Sequence, residues 1–439
     1  MSLTRDLARL IRAKPVSDTD LQAAALFTLD AVANILGGRN SGPGRVLMSW
    51  AGEQGHIGGN RGGDARAMTF LMGGLCHILE VDDLHRASVV HPGCVVVPAV
   101  LAQSAAMAGP VDGVKALTAV LHGFEATTRV GMAVGPAHYR IWHNTATCGA
   151  FGSAMAAGLL LDLDEDQCVH ALGNAGTQAS GLWEFLDSGA MSKHLHAGRA
   201  AEAGLTAAQL AKHGFTGPAT ILEGRRGFFA AACPDAEPAM ITADPDAPWQ
   251  VHATSIKPWP SCRHTHPAIG AATDLRAAVA ASGYGLDDIA GIAARTYPAA
   301  IEICDRQDVD SVYAAKFSLQ HCIAAALAFD RVDFDSFEAG PRDRLADLRR
   351  RITPEIGDDF AGRYPRSWGC GLTAVMRDGT TLTAACSDAK GDPEAALDRD
   401  EMIAKARMLL RHGDVAEPDR VIEEVLAMAH GGAVHGVVF

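Results

Sequence analysis

The sequence predicts a mainly α-helical protein, with a large all-helical domain formed from both chain ends and a smaller α+β lid domain inserted between them. From Ser17 to about His213, the chain is rich in Ala, Leu and Gly, and its apolar residues recur at helical spacing. Near Pro245 the pattern changes to short strand-like runs that alternate with helical stretches. Towards the C-terminus the helical pattern returns. The predicted domain boundaries are 1–252, 253–388 and 389–439.

Helix starts and stops in the first part are marked by capping residues and glycines. A helix over 17–36 begins at a Ser-Asp capping pair and is followed by two glycines. Similar signals predict helices over 111–134 and 151–161, and the second of these is apolar on all sides, which places it inside the bundle. The apolar run 94–107 is too short to span a bilayer, so it predicts a buried helix.

The middle of the chain carries the strand signals. The predicted strands are 289–296, 372–377 and 380–386. The last two are joined by Asp378-Gly379, a strong two-residue hairpin signal. Helices are predicted over 314–328 and 341–352 within the lid, and over 399–411 and 419–429 after it. A cleft between an inserted lid and the helical domain would be a common place for a ligand.

The charge pattern favours a small-molecule partner. The formal net charge is −13 and no Lys/Arg-rich block is present, which argues against nucleic acid and against an anionic membrane surface. The N-terminal segment has no apolar run typical of a secretory signal, so we expect a cytoplasmic protein. Ten scattered cysteines without a CxxC pair predict reduced thiols in the core. An anionic substrate would then need local positive groups.

A first group of ionisable residues follows an apolar helix. Glu80, Asp82, Asp83, His85 and His91 lie within twelve residues, and His91 precedes Pro-Gly and another apolar helix. The imidazole would therefore lie near a helix N-terminus, a position suited to a carboxylate ligand. In the alternative interpretation, the acids cap or pair locally and His91 is a structural loop residue.

A second candidate is His143, at the start of the next apolar helix. An imidazole titrates close to neutral pH, so His143 is a candidate general acid or base. Alternatively, His143 is structural, and Asn144 or Thr145 is simply the N-cap of the helix.

Two further groups carry positive charge. Lys193 and Arg199 begin an Ala-rich helix and would bind carboxylates, unless they form a solvated basic helix end. The proline-stiffened run from Lys257 contains Cys262 and Arg263 in a Cys-x-His-x-His context. Zinc binding or a Cys-His nucleophilic pair are alternatives, but the spacing matches no established zinc module, so we predict no metal. The glycine-rich run 58–63 follows no strand pattern and predicts a flexible loop rather than a phosphate cradle.

In their order along the chain, these segments resemble the MmgE/PrpD family. The motifs that carry the resemblance are EVDD…HPG, HNTATCGAFGSAMAAG, SKHLHAGRAAEAGLTAAQLAKHGFTGPATILEGRRGF, KPWPSCRHTHPAIGAA and AAKFSLQHCIAAAL. The resemblance implies a homodimer without metal or organic cofactor. It also implies that the substrate is surrounded by Asp83, His91, His143, Lys193 and Lys257.

The resemblance further implies that residues around Cys262 and His321 reach the substrate from the lid. Glu80 stands where decarboxylases of this family have the first acid of a DFDDT motif. Cys262 and His321 stand where that branch has histidine and tyrosine. These departures argue against decarboxylation of cis-aconitate. The predicted substrate-binding residues are Glu80, Arg199, Cys262, Arg263 and His321.

The predicted chemistry is proton transfer at a carbon next to a carboxylate. We predict His143 or His91 as the base and the other as general acid, with Lys193 and Lys257 as carboxylate clamps and Asp83 orienting an imidazole. The first hypothesis is a hydro-lyase that dehydrates a hydroxy-tricarboxylate such as 2-methylcitrate. The alternative is an epimerase of a dicarboxylate, and a hypothesis of another class is a non-catalytic binding protein.

Overall fold

The computed structural model describes residues 2–57 and 64–435, and the predicted loop at 58–63 lies outside them. The chain divides into two compact units. The first contains the chain up to Ser255 and again from Asp398 onwards, and the second runs from Ile256 to Leu397. Helices dominate both, so the predicted mainly α-helical class is confirmed.

The first unit is built almost wholly from helices. Before the second unit they are α1 (Leu3–Ala13), α2 (Asp18–Gly38), α3 (Gly42–Glu53), α4 (Ala65–Cys76), α5 (Gly93–Ala105), α6 (Gly113–Ala133), α7 (Pro136–Tyr139), α8 (Asn144–Leu160), α9 (Glu165–Gly176), α10 (Phe185–Ser188), α11 (Ser192–Lys212) and α12 (Phe228–Ala232). The unit also has one short antiparallel pair, β1 (Leu84–His85) with β2 (Thr254–Ser255).

Capping explains most of the helix starts. Ser17 and Asp20 form a reciprocal capping box at the start of α2, and Asp112 caps α6. Helix α8 begins at Asn144, seven residues before the predicted helix over 151–161 and directly after His143, which was expected at the start of an apolar helix. Asn144 and Thr145 were interpreted as a possible N-cap, but they lie within the first helical turn and their side chains contact other segments.

Helices α6, α8 and α11 pack closely in the core of this unit. Gly152 and Gly204 permit the approach. A Cβ on Gly152 would lie 1.7 Å from Thr127 Oγ1 of α6, and one on Gly204 would lie 2.3 Å from the carbonyl oxygen of Ala150 in α8. The small residues that the sequence repeats along these helices therefore bring the start of α8 close to α11.

The second unit combines a sheet with helices. Its elements are α13 (His266–Ala281), β3 (Ile289–Thr296), α14 (Pro298–Cys304), α15 (Val312–Lys316), α16 (Leu319–Ala328), α17 (Ala339–Arg344), α18 (Ala346–Arg350), β4 (Ile352–Ile356), α19 (Asp358–Ala361), β5 (Cys370–Met376) and β6 (Thr381–Cys386). The strand order is β4-β3-β5-β6, with β3 and β4 parallel and the other pairs antiparallel. Helix α13 packs on β5, β6 and α16.

The hairpin prediction agrees with the sheet, but two helix predictions need correction. Gly379 has φ +90° in the turn between β5 and β6, a value that favours glycine. The predicted helix 314–328 is divided in two, because the Ser318 hydroxyl accepts the His321 N–H and starts α16 anew. The predicted helix 341–352 ends early, and 352–356 is a strand that the sequence prediction missed. Its pairing with β3 is long-range and leaves no local signal.

The units divide a few residues beyond the predicted boundaries of 252/253 and 388/389. The N–H of Ile256 donates to the carbonyl of Gly391 at 2.8 Å, and Asp392 pairs with Arg263. These contacts hold residues 389–397 to the second unit. Helices α20 (Arg399–His412) and α21 (Pro418–Ala427) then complete the first unit by packing on α2.

Two global features complete the description. Helix α2 is the one helix in the described ranges that is long and apolar enough to cross a membrane, and 83% of its most apolar window is buried within the protein. All ten cysteines are free thiols, and eight of them are buried.

Candidate active site

The loop between α4 and α5 carries most of the candidate chemistry and holds an unusual backbone. Glu80 and Val89 have φ values of +62° and +50°. Positive φ is costly for a residue with a side chain, and most of all for a β-branched one. The surrounding contacts must therefore define this loop closely.

A buried ion pair from the two ends of the chain anchors the middle of the loop. Lys405 Nζ in α20 lies 2.5 Å from Asp30 Oδ1 in α2, and it donates to the carbonyl of Val81 at 2.6 Å. Val81 lies between Glu80 and Asp82 in the chain. The C-terminal helices thus fix the backbone at the acidic residues.

The later part of the loop is tied to α8. Asn144 Nδ2 donates to the carbonyl of Ser88 at 2.8 Å, and the N–H of His91 donates to Thr145 Oγ1 at 3.1 Å. The interpretation of Asn144 or Thr145 as a simple N-cap is therefore wrong, because the side chains hold the loop instead. His143 occupies the N-cap position without a capping hydrogen bond.

Asp82 lies between two imidazoles. Its Oδ2 is 2.7 Å from His77 Nδ1 and 3.3 Å from His91 Nδ1. Burial alone would raise the pKa of Asp82, but the two imidazoles hold it well below its usual value. Burial lowers the pKa of His77 to about 4, despite the attraction of Asp82. At neutral pH, an ionised Asp82 therefore accepts a hydrogen bond from a neutral His77.

Asp83, predicted to orient an imidazole, instead contacts the start of a helix in this structure. Its two carboxyl oxygens accept the N–H of Gly93 at 3.1 and 3.0 Å, at the start of α5. Burial, and next the charge of Asp82, raise the pKa of Asp83 well above its usual value. The carboxyl group expected at this helix N-terminus is thus supplied by the chain itself. The residue that contacts the imidazoles is Asp82 rather than Asp83, because successive side chains in the loop point in different directions.

His143 completes a group of three imidazoles. Its ring stacks on His77 with centroids 5.5 Å apart, while His77 and His91 meet edge to face at 4.6 Å. Burial, and next the neighbouring His77 and Lys193, hold the pKa of His143 well below its usual value. We call His77, Asp82, His91 and His143 the histidine cluster.

Lys193 lies at the start of α11 and forms an ion pair with Glu80. Burial lowers the pKa of Lys193, but the attraction and hydrogen bond of Glu80 outweigh that effect, so the pKa is raised. Lys193 is therefore charged at neutral pH. Glu80, which has a positive φ, thus contacts Lys193 from the loop, and two of the predicted site residues are brought together.

The histidine cluster has many buried polar atoms without a hydrogen-bond partner among the described residues. They are His77 Nε2, Asp82 Oδ1, His91 Nδ1 and His143 Nδ1, and nearby Asn144 Oδ1, Trp183 Nε1, His194 Nδ1 and His196 Nδ1. A buried polar group without a partner costs about 1–3 kcal/mol, so such groups are rare in native proteins. Their concentration around one set of imidazoles indicates a site for a polar ligand.

The same cluster is the place to consider a metal ion. Ligand atoms of His77, Asp82 and His91 lie within 4.8 Å of one another. Ligands about 2.1 Å from a tetrahedral zinc ion lie about 3.4 Å apart, whereas His77 and Asp82 are 2.7 Å apart, the length of a hydrogen bond. This geometry fits a proton-sharing pair better than a pair of metal ligands.

The remaining predicted residues lie outside the histidine cluster. Arg199 is largely exposed and pairs with Glu202. It follows Lys193 by six residues, which turns it about 240° around the helix, so the two do not share a face. In the second unit, Lys257 is buried and Cys262 is partly exposed. Their predicted contacts with substrate stay predictions.

Arg263 and His321 make contacts within the second unit. Arg263 pairs with Asp392, donates to His266 Nδ1 at 2.8 Å and donates to the carbonyl of Lys390 at 3.1 Å. His321 is fully buried, and its Nε2 lies 3.0 Å from the carbonyl of Ser336. These contacts hold both side chains within the second unit. Their predicted roles in substrate binding stay predictions.

Sequence reasoning missed His77 and Trp183, and it gave Asp82 and His196 no role of their own. His77 follows an apolar helix by one residue and precedes Asp82 by five, so the acidic motif could have been extended backwards to include it. Trp183 lies in a segment without a motif. Its side chain lies beside His143 because its backbone N–H donates to the carbonyl of Ile141, two residues before His143.

Comparison with known proteins supplies the context for this site. The family model of the MmgE/PrpD N-terminal domain matches residues 5–241, and that of the MmgE/PrpD C-terminal domain matches residues 259–429. Cis-aconitate decarboxylase of Aspergillus terreus (strain NIH 2624 / FGSC A1156) is 27% identical over 367 residues, which cover 78% of this chain and 74% of the relative.

Two more relatives show the range of activities. Cis-aconitate decarboxylase of Homo sapiens is 25% identical over 77% of this chain and 71% of its own length. 2-Methylcitrate dehydratase of Cupriavidus necator is 33% identical over 133 residues, which cover 28% of this chain and 27% of the relative. Each relative is named for an activity on a small polycarboxylate.

Proposed function

The chain belongs to the MmgE/PrpD family, and we propose that it is a lyase that removes a proton next to a carboxylate of a small di- or tricarboxylate. The favoured reaction is dehydration of a hydroxy-tricarboxylate of the 2-methylcitrate type. The observation that carries the proposal is the histidine cluster, in which two imidazoles contact one buried carboxylate, a third imidazole stacks on one of them, and several polar atoms have no partner among the described residues.

The chemistry needs a base together with groups that accept negative charge. A carbon next to a carboxylate is a poor acid, because the electrons left behind must move onto the carboxylate oxygens. A base positioned by its neighbours contributes about 10²–10⁴-fold in rate. Preorganised cations and N–H donors stabilise the charge that develops on the oxygens.

His91 is the proposed base. A neutral His91 whose Nδ1–H faces Asp82 carries its lone pair on Nε2, and the 3.3 Å contact would shorten to a hydrogen bond once the ring is protonated. Its side chain is 12% exposed, whereas that of His77 is fully buried and His143 is 2% exposed. His91 is therefore the imidazole of the cluster most open to a substrate.

The elimination balances with one proton shuttle. His91 Nε2 takes the proton as the C–H bond breaks, and the electron pair forms the new C=C bond as the C–O bond breaks. The protonated His91, stabilised by Asp82, returns the proton to the departing hydroxyl, which leaves as water. His143 is neutral at neutral pH, so we assign it an N–H donor role towards a substrate oxygen rather than the predicted role of general acid.

Lys193 is the proposed cation for the developing charge. It stays protonated beside Glu80, so a substrate carboxylate would share the ammonium group with that residue. The predicted roles of Lys257 as a second clamp and of Cys262 as a contact remain part of the proposal. A homodimer in the cytoplasm also stays a prediction.

Decarboxylation is the second candidate, favoured by the extent of the matches. The cis-aconitate decarboxylases of Aspergillus terreus and Homo sapiens align over 78% and 77% of this chain, against 28% for 2-methylcitrate dehydratase. Against it stand the differences at Glu80, Cys262 and His321. Epimerisation of a dicarboxylate is the third reaction, and it would use the same base.

A product assay separates the three reactions. Wild-type protein is incubated in heavy water with 2-methylcitrate, citrate, cis-aconitate and an aminodicarboxylate, and the products are followed by NMR. The proposal expects loss of the carbinol signal and a new alkene signal from the hydroxy-tricarboxylates. Loss of CO₂ from cis-aconitate would support the decarboxylase instead, and deuterium uptake without elimination would support the epimerase.

A further inference from the structure

Besides His77, two residues that have no assigned role contact the ring of His143. The Trp183 indole lies 4.6 Å from the His143 ring, and the His196 imidazole lies 5.6 Å from it, between centroids. Phe185 contacts both Trp183 and His196 at 5.5 Å. These rings form a second group beside the histidine cluster.

Backbone hydrogen bonds fix this group in position. The backbone N–H of His143 donates to the carbonyl of Gly181 at 2.9 Å, and the backbone N–H of Trp183 donates to the carbonyl of Ile141 at 3.1 Å. Gly181 has φ +122°, and a Cβ there would lie 2.5 Å from Ala146. Glycine at this position thus lets the Trp183 segment lie directly against the start of α8.

Each of these side chains has a buried nitrogen without a partner among the described residues: Trp183 Nε1, His143 Nδ1 and His196 Nδ1. An indole N–H can only donate, so Trp183 needs an acceptor. No acceptor within the described part of the protein reaches it. A ligand oxygen between the three nitrogens would supply what the indole lacks.

The spacing along α11 relates this group to Lys193. Lys193 and His196 are three residues apart on the first turns of the helix, so their Cβ atoms are about 5–6 Å apart on one face. Two carboxylates attached to neighbouring or next-neighbouring carbons span a similar distance. A dicarboxylate fragment could therefore contact Lys193 with one end and the three nitrogens with the other.

We propose that Trp183, His143 and His196 form a carboxylate subsite, which binds a second carboxylate of the substrate by N–H donors while Lys193 binds the first. The inference rests on the proposed function in one respect, since it takes the ligand to be a polycarboxylate. It assigns the substrate class as acids with two carboxylates attached to neighbouring or next-neighbouring carbons. It also makes Trp183 a specificity-determining residue.

The test removes the indole N–H and keeps a ring. The dissociation constant of tricarballylate, a tricarboxylate without a hydroxyl group to eliminate, is measured by calorimetry for wild-type protein and for Trp183→Phe. Loss of one hydrogen bond to a charged acceptor should weaken binding roughly 10-fold or more. Trp50→Phe is the matched control, because Trp50 lies on α3 with its ring against Phe70, and it should leave the constant unchanged.

A second variant keeps the test decisive if Trp183→Phe does not fold. His196→Leu removes another donor of the subsite and should weaken tricarballylate binding to a similar degree. Butyrate, with one carboxylate, should bind weakly to wild-type protein and be insensitive to Trp183→Phe. An unchanged tricarballylate constant in folded Trp183→Phe or His196→Leu would overturn the subsite, as would a wild-type protein that binds no polycarboxylate.

The binding assay tests the subsite and the turnover assay tests the proposed lyase, so either can be overturned without the other. Tight binding of tricarballylate that depends on Trp183, without turnover of any acid, would leave the subsite standing and overturn the proposed lyase. Turnover of a hydroxy-tricarboxylate together with unchanged binding in Trp183→Phe would support the proposed lyase and overturn the subsite.

Discussion

Two buried polar groups in this protein have similar composition and opposite character. The histidine cluster of the first unit combines imidazoles with Asp82, and a group in the second unit combines Arg263, His266 and Asp392. In the second group, both ring nitrogens of His266 are used, by Arg263 and by the carbonyl of Ser261 at 3.2 Å. Among the described residues, the Nε of Arg263 is the one atom of this group without a partner.

A ligand site and a structural network can be separated by their unpartnered atoms. Burial and residue type do not distinguish the two groups, and each contains residues that the sequence marked as candidates. The number of hydrogen-bonding atoms without a partner does distinguish them. A network that completes its own hydrogen bonds stabilises a fold, whereas one that leaves several atoms unpartnered is prepared for a ligand.

The largest expected effect on activity comes from His91→Gln. Removing the proposed base should lower kcat about 10³-fold, within the range typical of general bases, with a much smaller change in KM. Steady-state kinetics on the best substrate measure it. His213→Gln, at the exposed end of α11, is the control and should keep wild-type kcat. A fall in kcat of less than 3-fold in folded His91→Gln would remove His91 from the chemistry.

A substitution in the second group, that of Arg263, His266 and Asp392, should lower the stability of the fold rather than the activity. Asp392→Asn leaves the buried Arg263 charge without its partner and should lower the free energy of unfolding by about 3 kcal/mol. Urea denaturation measures this loss. The value of kcat/KM per folded molecule should stay unchanged, and a fall of 10-fold or more would return Arg263 to the substrate site.

Asp82→Asn tests the carboxylate between the imidazoles. It should lower kcat by about 10–100-fold, the usual effect of losing a residue that orients a functional imidazole. The amide can donate to His91 Nδ1 and so favours the wrong tautomer. The pH dependence of kcat should also change, and a variant with reduced kcat but an unaltered pH profile would point to a merely structural Asp82.

The smallest effect concerns a buried histidine outside both groups. Burial lowers the pKa of His122 to about 4, and its ring stacks on Trp249. Because its unfolded pKa is near 6.5, the unfolded state binds more protons, and stability is lost as pH falls from about 6.5 towards 4. Between pH 7 and pH 5, the free energy of unfolding of His122→Phe should fall by up to about 2 kcal/mol less than that of the wild type. Equal losses in thermal or urea unfolding would contradict this pKa.

Local signals explain what the sequence could predict. Helix α2 has its Ser17 capping box, and the strand at 289–296 and the Asp378-Gly379 hairpin have strong local patterns, so all three were found. The strand at 352–356 was missed because it depends on a parallel partner some sixty residues away. The break at Ser318 was missed because a single hydroxyl decides it.

The site was predictable as a set of residues but not as a set of contacts. The resemblance and the charge pattern indicated the segments that carry His91, His143 and Lys193. Which acid faces the imidazoles depended on the loop backbone, including the positive φ of Glu80 and the anchor from Lys405. Trp183 contributes through backbone pairing with distant residues, for which the sequence has no motif.

A crystal structure of the wild-type protein with tricarballylate would show whether the histidine cluster and the carboxylate subsite bind the ligand together. The account predicts carboxylate oxygens within about 3 Å of Lys193 Nζ and His143 Nδ1, a contact with Trp183 Nε1, and a ligand carbon facing His91. Tricarballylate bound elsewhere, with the histidine cluster still unpartnered, would contradict the account. So would a metal ion held by His77, Asp82 and His91.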